Sequence, residues 1–433
     1  MNFNLFVFED YKYENFYPLV LTRPVCGLRV GTKTLFERVK EIFKESFFTI
    51  LCRDDVAELA EFKYKTRVNK LGTDPNLPSL FINGRAVINK RFAELVESTD
   101  TTTLFICENV PVALLLKEQE TVELEKFFNP ILAEQATEEF IKSFPVVEFS
   151  TRIFDGIWEL VEFNGELINN DFGEFERGES KGSVFGNTII YNPEQVWIGE
   201  NARIDDLVVI DARGGAVIIE SGAYIQAGTI IVGPAYIGRN THIYGGKIRG
   251  GCSFGPYCRI GGEVESSVFL GYSNKYHDGF IGHSYIGEWV NLGALTTTSD
   301  LKHTYTPVRL TFNGKDQIQT ELIKLGSFIG DHTKLGIGTL LNAGTVIGIS
   351  TSFFGGGLAP KFIPSFIWGS NEEMVEYELE KALETAKTVY SRRGLELSFV
   401  EETMLRRIFD KTAELRSNFI SPGETPSEEM PLF

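Results

Sequence analysis

The residues best suited to chemistry lie in one stretch of the second half of the chain, residues 271–287, which reads GYSNKYHDGFIGHSYIG. This stretch holds two of the five histidines, His277 and His283, together with Lys275, and Asn291 follows it closely. Transfer of an acyl group from a thioester to an amine needs a base that takes a proton from the amine, and histidine has a suitable pKa. The stretch therefore predicts a site for acyl transfer, although a lone histidine can also merely shape a surface turn.

A second group of candidate residues lies near the N-terminus. Its three cations are Arg23, Arg29 and Lys33. They fall between a first apolar segment and a helical segment that begins near Thr34, and cations beside a helix N-terminus suit the phosphates of a nucleotide. Glu9 and Asp10 follow the first apolar segment and are the nearest candidate ligands for Mg²⁺. The alternative is a set of solvated charges on a surface loop.

An aliphatic or aromatic residue returns at every sixth position over much of the segment from Trp197 to Phe353. The runs are Ile198, Ile204 and Ile210; Ile219, Ile225, Ile231, Ile237 and Ile243; Ile248, Phe254 and Ile260; and Ile329, Leu335, Leu341, Ile347 and Phe353. Neither an α-helix nor a simple strand alternation has a period of six. The period is typical of the hexapeptide repeat of a parallel β-helix, in which six residues form one short strand and a turn. A β-sandwich with chance spacing is the alternative.

The first part of the chain alternates strands with helices, which indicates a mostly parallel, doubly wound sheet. Its predicted strands are 3–8, 47–51, 80–82 and 103–107, and its predicted helices are 34–43, 54–62 and 155–169. Residues 170–186, rich in Gly, Glu and Asp, read as a linker. We therefore predict an α/β domain over residues 1–186 and a β-helix over 187–369.

The hexapeptide rhythm fails between Asp300 and Glu321, which predicts a loop or arm that leaves the β-helix. From Ser370 onward a helical period replaces it. Ser370-x-x-Glu373 and Ser398-x-x-Glu401 are capping boxes that predict the starts of two amphipathic helices. We assign residues 370–433 to these helices and to a frayed tail from 421, and expect the helices to cover the last coil of the β-helix.

Composition limits the classes of function. A net charge of −17 argues against a nucleic-acid or anionic-membrane partner. The five cysteines are not regularly spaced, so neither a disulfide framework nor a zinc site is expected. No signal peptide or apolar run of membrane-spanning length is visible, which predicts a cytoplasmic protein.

A β-helix of short strands has three flat faces, and three such prisms side by side would create clefts, so we expect a homotrimer.

The stretch around His277 resembles the acetyltransferase half of the bifunctional N-acetylglucosamine-1-phosphate uridyltransferase / glucosamine-1-phosphate N-acetyltransferase family. That family carries Ser-Lys-x-x-His, then Tyr-Leu-Gly, then Asn-x-Gly-Ala-Gly-Thr. With Phe280-Ile-Gly282 aligned on Tyr-Leu-Gly, His277 falls on the catalytic histidine, and the resemblance implies that it is the general base. It also implies that Asn291 faces the sugar. The residues that it places beside acyl-CoA are Ala294, Asp331 and Ala343.

The pattern departs from that family at several positions. The tyrosine after the histidine is Phe280, Gly-Thr after the alanine is Leu295-Thr296, and the Asn-Tyr-Asp-Gly loop is Thr-Ser-Asp-Leu at 298–301. The set of sugar contacts is therefore partly lost.

Residues 18–37, PLVLTRPVCGLRVGTKTLFE, resemble the phosphate-binding segment of sugar-1-phosphate nucleotidyltransferases. Those enzymes let a sugar phosphate attack the α-phosphate of a nucleoside triphosphate, with cations around the phosphates and carboxylates that hold magnesium. The Gly-rich loop of that family is missing here, and Asn83-Gly84-Arg85 replaces its magnesium-binding Gly-Asp. We assign Asn83 and Arg85, with the three cations, to the nucleotide site.

Nearly the whole chain is similar to an alternate branch of the same bifunctional family. Shared segments include Phe-Glu-Asp at 8–10, Asn-Gly-Arg at 83–85 and APKFIPSFIWG at 359–369. The resemblance implies a Rossmann-like nucleotidyltransferase domain, a left-handed β-helix of hexapeptide repeats and a C-terminal pair of helices. It further implies Mg²⁺, and acetyl-CoA as co-substrate.

Three functions are compatible with these residues. The first is acetyl transfer from acetyl-CoA to a hexosamine 1-phosphate, followed by nucleotidyl transfer from UTP to give a UDP-sugar. The second is a β-helix acyltransferase whose N-terminal domain binds a sugar nucleotide without turnover, which the missing Gly-rich loop and Arg85 favour. The third is a sugar-nucleotide sensor without chemistry, against which the clustered cations argue.

Overall fold

The computed structural model describes residues 2–71, 74–117 and 142–420. These residues group into two compact units. The first contains residues 2–28, the described part of 33–157, and 399–404; the second contains 29–32, 158–398 and the described residues from 405 onward. The predicted frayed tail, 421–433, lies outside the described residues.

The first unit is built on a mixed sheet of seven strands whose core is rich in phenylalanine. In spatial order the strands are Arg67–Val68, Phe47–Leu51, Asn4–Phe8, Ser79–Asn83, Val110–Leu116, Thr103–Cys107 and Val146–Glu148. All neighbours are parallel except Val110–Leu116, which runs antiparallel to both of its neighbours. The predicted mostly parallel sheet is therefore confirmed, with one reversed strand that the sequence analysis did not predict.

A two-residue turn explains the reversed strand. Glu108 and Asn109 both have positive φ angles, 51° and 66°, and they join Thr103–Cys107 directly to Val110–Leu116. Two consecutive residues of positive φ form the hairpin turn that matches the twist of antiparallel strands. Glu-Asn is not one of the Gly-containing pairs that usually mark such a turn, so the sequence carried little signal for it.

The helices of the first unit lie between its strands. They are Leu35–Ile42, Asp54–Tyr64 and Lys90–Glu97, with short 3₁₀ turns at Tyr11–Phe16, Leu19–Thr22 and Val25–Gly27. Thr34 and Glu37 form a reciprocal capping box that fixes the start of the first helix. Two further short strands, Arg29–Val30 and Lys33–Thr34, precede this helix.

In place of the predicted single helix 155–169, two helices, Ile157–Glu162 and Asn164–Asp171, precede the β-helix, and a 3₁₀ turn, Phe172–Glu174, follows them. The first β-helix strand, Ser183–Val184, pairs in parallel with Arg203–Ile204 and so lies within the stretch predicted as a linker.

The second unit is a left-handed parallel β-helix. Ile219 pairs with Ile237 and Ile225 with Ile243, each 18 residues further on, so one coil contains three hexapeptides. Every residue of the four predicted runs is buried in one continuous core. The predicted fold class is therefore confirmed, and the period of six arises because one side chain per strand must fill the interior.

The strands of the β-helix are short, and a 3₁₀ turn, Pro193–Gln195, lies among them. They are Ser183–Val184, Ile189–Tyr191, Val196–Ile198, Arg203–Ile204, Val209–Asp211, Val217–Ile219, Tyr224–Ile225, Ile230–Val232, Ala235–Ile237, His242–Ile248, Cys252–Phe254, Arg259–Glu265, Val268–Gly271, Asn274–Lys275, Phe280–Gly282, Tyr285–Glu288, Asn291–Leu292, Thr297–Thr298, Phe328–Ile329, Lys334–Leu335, Thr339–Leu341, Val346–Ile347, Ser352–Phe353, Gly357–Leu358, Phe362–Ile363 and Ile367–Gly369.

The predicted arm is a hairpin that leaves the β-helix at Asp300. Its two strands, Arg309–Leu310 and Ile318–Gln319, are antiparallel, and Leu301 pairs with Lys324 at its base. An antiparallel hairpin cannot follow the period of the parallel coils, which explains why the rhythm fails there.

The C-terminal helices are Leu379–Ser391, Phe399–Lys411 and Ala413–Ile420. The predicted helix start at Ser370 is wrong, because Met374–Glu376 forms a strand antiparallel to the last β-helix strand, Ile367–Gly369. This pairing satisfies the open edge of the sheet, and it stabilises the segment more than a helix capped at Ser370 would. The second predicted start is confirmed, since Phe399 directly follows Ser398.

In the described part of the chain, no helix combines the length and apolar character that crossing a membrane requires.

Candidate functional site

One face of the β-helix carries a row of polar side chains beside the predicted histidine. His242 pairs with Arg259, Arg259 with Asn274, and Asn274 with Asn291, on successive parallel strands. Side chains alternate along a strand, so these residues point outward while the next residue of each strand points into the core. Asn274 Nδ2 donates to Asn291 Oδ1 at 3.4 Å, which links two neighbouring coils at the surface.

Lys275 occupies an interior position of the β-helix. It pairs with Ile260, a core residue, and its side chain is fully buried. Its ammonium donates to the carbonyl oxygens of Gly261 (3.4 Å) and His277, and burial lowers the pKa of Lys275 to about 8. Lys275 is therefore placed to fix the backbone of the turn that carries His277, and its ammonium does not face the surface.

His277 lies on an exposed turn between the strands Asn274–Lys275 and Phe280–Gly282. Its ring contacts Tyr276 edge to face, with 4.8 Å between the ring centroids, and Tyr276 in turn packs on Tyr244 at 4.4 Å. His277 thus follows Asn274 by three residues, and its ring is open to solvent.

His283 stands at the other end of the strand Phe280–Gly282, and it has an acidic partner. Its Nδ1 lies 2.7 Å from Oδ2 of Asp300, and both side chains are mostly buried. Burial acts to raise the pKa of Asp300, but the hydrogen bond and charge of His283, with the charge of Lys324, hold it below its ordinary value. A carboxylate on Nδ1 orients the ring and leaves Nε2 available as a base.

The residues assigned to acyl-CoA differ in their surroundings. Asp331 is buried, and its Oδ1 accepts a hydrogen bond from the backbone N–H of Glu288 at 2.8 Å. Ala343 is also buried, whereas Ala294 is partly exposed. Asp331 thus joins two coils of the β-helix within one chain.

The two carboxylates assigned to magnesium are each neutralised by a buried arginine of the first unit. Glu9 Oε1 lies 2.7 Å from Nη1 of Arg53 and accepts the backbone N–H of Val25 at 2.9 Å. Burial raises the pKa of Glu9, although the charge of Arg53 opposes this. Arg85 donates to both carboxylate oxygens of Asp10, with its Nη2 2.6 Å from Oδ2.

The donor set at the end of the strand Asn4–Phe8 does not fit magnesium. Both oxygens of Asp10 accept hydrogen bonds from the protein, since Asn83 Nδ2 also donates to Oδ2 at 3.0 Å. Magnesium needs carboxylate oxygens that are free to coordinate it. Among the described residues, no group of three or more His, Cys, Asp or Glu side chains is arranged as a metal site.

The cations assigned to a nucleotide are buried and bonded within the protein. Arg23 Nη1 donates to the carbonyl of Leu19 at 3.1 Å, and Lys33 pairs with Glu41. Arg29 belongs to the second unit, where its guanidinium donates to the carbonyl of Thr32. The assignment of the three cations to the phosphates of a nucleotide stays a prediction, and each of them has a bonding partner within the protein.

Asn83 and Arg85 are likewise interior. Arg85 is 1% exposed, and besides Asp10 it contacts the carbonyl of Phe154 and, at 3.2 Å, the carboxylate of Asp155. The side-chain oxygen of Asn83 accepts the backbone N–H of Arg85 at 3.0 Å. Asn83 and Arg85 thus hold the end of the sheet together.

Sequence reasoning missed several partners that define these sites. They are Arg53, Tyr244, Arg259, Asp300 and Arg393. One of them had a usable signal, because Asp300 follows His283 by 17 residues, the length of a coil in this part of the β-helix. Residues one coil apart lie at the same corner, so the spacing itself predicts the pair.

Comparisons with known proteins match parts of the chain. Residues 5–180 match the sequence model of a family described as sugar nucleotidyl transferase. The bifunctional protein GlmU of Buchnera aphidicola is 26% identical over 209 residues, which are 41% of this chain and 42% of that protein. A bifunctional sugar-1-phosphate nucleotidylyltransferase/acetyltransferase of Sulfurisphaera tokodaii is 36% identical over 153 residues, 33% of this chain and 36% of that protein.

The chain spans less than half the length of either relative. Among solved structures, LpxA from Acinetobacter baumannii matches 57% of this chain and 97% of its own, with a TM-score of 0.20 and 16% identity. Part of the chain is thus similar to bifunctional sugar-1-phosphate nucleotidyltransferase/acetyltransferases, and its residues 5–180 match the model of the sugar nucleotidyl transferase family.

Proposed function

We propose that the β-helix transfers an acetyl group from acetyl-CoA to the amino group of a hexosamine 1-phosphate. The observation that carries the proposal is the corner formed by Asn274–His277, where an exposed histidine ring stands on a turn that buried Lys275 holds in place. Its polar neighbours Asn274 and Asn291 are outward and within reach of one ligand. The name of the Sulfurisphaera tokodaii relative, which includes acetyltransferase, supports the same reaction.

The reaction requires a base, and we assign this role to His277. The amine nitrogen attacks the thioester carbonyl carbon, a C–N bond forms, the C–S bond breaks, and the sulfur leaves as the thiolate of CoA. His277 accepts the proton that the nitrogen loses and returns it to the thiolate. Asn291 lies one coil from Asn274 and would hold a sugar hydroxyl or the amine in position.

His283 is the second candidate base, because its geometry favours it. The carboxylate of Asp300 at 2.7 Å orients its ring, an arrangement that His277 does not have among the described residues. The two histidines stand at opposite ends of the strand Phe280–Gly282, so one bound acceptor would use only one of them. Single substitutions therefore separate the two assignments.

For the N-terminal domain we propose binding of a sugar nucleotide. The match to a sugar nucleotidyl transferase family supports the first reading, nucleotidyl transfer from UTP to the sugar 1-phosphate. The second reading, binding without turnover, is favoured by a specific observation: Arg53 and Arg85 neutralise the carboxylates that would hold magnesium. A sensor without any chemistry is the third outcome of the same test.

One assay separates these readings. The full chain is incubated with UTP, acetyl-CoA and glucosamine 1-phosphate, and release of thiol and of pyrophosphate are followed together. We expect thiol release that depends on glucosamine 1-phosphate. Pyrophosphate release in addition identifies the bifunctional enzyme, thiol release alone identifies the acyltransferase, and neither product, despite binding of the nucleotide, identifies a sensor.

Nucleotide binding is measured separately by calorimetric titration with UTP and with UDP-N-acetylglucosamine, with and without Mg²⁺. Arg23→Ala/Arg29→Ala is the test variant, Arg67→Ala on the exposed edge strand is its control, and melting temperatures verify that each variant is folded. Equal binding by the wild type and by a folded double variant removes these residues from the nucleotide site.

A further inference from the structure

A pair of arginines on the β-helix is not balanced by acidic residues. Arg259 lies in the outward row, on the strand next to Asn274. Arg393 comes from the turn that follows the helix Leu379–Ser391, and its Nη2 donates to Oδ1 of the same Asn274 at 2.8 Å. Both side chains are partly buried. Arg393 thus binds the Asn274 amide, and Arg259 extends from the strand that is paired with Asn274.

Neither arginine has a carboxylate partner within the parts of the chain that the structure describes. Arg259 Nη1 donates only to the main-chain carbonyls of Asn240 and Cys258, both at 2.9 Å. By contrast, three other arginines of the β-helix each pair with an acid, in the pairs Arg203–Asp205, Arg213–Asp211 and Arg249–Glu263. The net charge of −17 means that acidic residues are abundant in this chain. The unpaired state of Arg259 and Arg393 toward carboxylates of the described residues is therefore specific to their place on the β-helix.

The cations act on each other and on the nearest histidine. Burial lowers the pKa of Arg259, and the charge of Arg393 lowers it further. Burial, followed by the charges of Arg259 and Arg393, lowers the pKa of His242 to about 4, so His242 is neutral near pH 7. Its Nδ1 lies 3.0 Å from the hydroxyl of Tyr244. Two partly buried like charges are unfavourable, and an anion between them would remove the repulsion.

The surroundings of the pair suit a ligand with a ring attached to its anionic group. Tyr244 and Tyr276 pack against each other with 4.4 Å between centroids, and His277 contacts Tyr276. Asn274, which binds Arg393, is three residues before His277 on the same strand and turn. The arginines, the aromatic pair and the predicted base therefore line one corner of the β-helix.

We propose that Arg259 and Arg393 bind the phosphate of the acyl acceptor, while its sugar ring lies against Tyr276 and its amino group faces His277. Guanidinium groups recognise phosphate oxygens through paired, charge-assisted hydrogen bonds. The shared chemistry is a sugar carrying a phosphate or diphosphate. The C-terminal segment thereby completes the acceptor site by contributing Arg393. This inference rests on the proposed acyl transfer for its substrate, but the anion site itself can be tested without turnover.

The test is calorimetric titration of the full chain with glucosamine 1-phosphate, UDP-glucosamine, inorganic phosphate and glucosamine. We expect Arg393→Gln and Arg259→Gln to weaken binding of glucosamine 1-phosphate roughly ten- to a hundred-fold, the effect of losing one charged hydrogen-bond donor. Arg392→Gln, at the exposed neighbouring position, is the matched control and should bind as the wild type does. Inorganic phosphate should compete in the wild type, and binding of glucosamine should be equal in all variants. Tighter, arginine-dependent binding of UDP-glucosamine identifies a diphosphate ligand.

Arg259 also bonds to the main chain, so Arg259→Lys and melting temperatures accompany the neutral variant. Lysine keeps the charge, and we expect it to recover part of the affinity. Unchanged binding of glucosamine 1-phosphate in folded Arg393→Gln, or no binding of any phosphorylated probe by the wild type, overturns the proposed site. Arginine-dependent binding without acetylated product keeps the site and refutes the reaction. Product formation with an unchanged KM for the acceptor in Arg393→Gln keeps the reaction and refutes the site.

Discussion

His277 and His283 offer the same functional group in two different settings. The ring of His277 is exposed and touches Tyr276, whereas His283 is mostly buried and held by Asp300 at 2.7 Å. An exposed ring can reach a substrate without rearrangement, while a carboxylate-bound ring is better oriented. In the proposed acetyl transfer, the corner that the acceptor occupies therefore decides which histidine is the base.

We predict that His277→Ala lowers the rate of acetyl transfer roughly 10²–10⁴-fold, because a positioned general base contributes about that factor. Any nucleotidyl transfer should survive. His303→Ala, an exposed histidine in the arm, is the control and should leave the rate unchanged. A near-normal rate of thiol release by His277→Ala, with a large loss in both His283→Ala and Asp300→Asn, would instead assign the base to His283.

The types of the candidate residues suggested which chemistry to expect, but they did not indicate which side chains each candidate residue would pair with. Glu9 and Asp10 have the oxygens that magnesium prefers, yet Arg53 and Arg85 reach them from distant positions in the sequence. Nothing local in the sequence signals such pairing, because it depends on how the sheet brings strand ends together. The pairing of Asp300 with His283 is different, because their separation of 17 residues equals one coil and is visible in the sequence.

Among the structural elements, the period of six predicted the β-helix because each interior position must be filled by an apolar side chain. Ile230 and Ile231 illustrate this on one strand. Ile231 is fully buried in the core, and Ile230 is 39% exposed on the outer face. Alternation along the strand gives neighbouring residues opposite environments.

We predict that Ile231→Ala lowers the free energy of unfolding by about 2–5 kcal/mol, because it leaves a cavity in the β-helix core. Ile230→Ala, on the same strand, should change it by only about 0.5 kcal/mol. Urea titration of both variants measures the difference. Equal losses would contradict the inward and outward assignment of this strand.

Lys275 gives the β-helix a dependence on pH that an apolar residue would not give. Its pKa, lowered to about 8 by burial, lies below the ordinary value of 10.5, so the unfolded chain holds this proton more tightly. The free energy of unfolding should therefore rise as pH increases from about 8 to about 10.5, by at most about 1.4 kcal/mol per pH unit. We expect Lys275→Met to show a smaller rise. Identical slopes in urea titrations of both proteins would contradict the burial of this ammonium.

The end of the third run and the mispredicted helix start at Ser370 share a physical reason. The rhythm is lost after Ile260 because the next coil is shorter, with Ile260 paired to Lys275 only 15 residues on. The helix predicted from Ser370 gives way to the strand Met374–Glu376, which covers the last coil. In both places tertiary pairing outweighs the local pattern, and the local pattern is all that a single sequence displays.

For the whole molecule, the β-helix exposes an apolar stripe that favours assembly. Leu340 and Leu358 are paired on adjacent strands and are 44% and 53% exposed, and Ile337, at the turn before Leu340, is 71% exposed. Exposed aliphatic residues grouped on one face are typical of protein interfaces. Three copies packed along such faces would enclose clefts between them.

We predict that the protein is a homotrimer and that Leu340→Glu shifts it to the monomer, because three buried carboxylates at one interface are unfavourable. Leu395→Glu, exposed in the connection between two C-terminal helices, is the control and should remain trimeric. Sedimentation equilibrium measures the mass of each. A stable and catalytically active wild-type monomer would refute the prediction.

Acetyl transfer at the β-helix is tested most directly by mass spectrometry of glucosamine 1-phosphate after incubation with acetyl-CoA and the full chain. We predict that the wild type converts the acceptor to its N-acetylated form, with equimolar release of CoA, and that His277→Ala converts it at least roughly a hundred-fold more slowly. Recovery of the unmodified acceptor from a folded wild-type protein that binds it would contradict acyl transfer as the function of this β-helix.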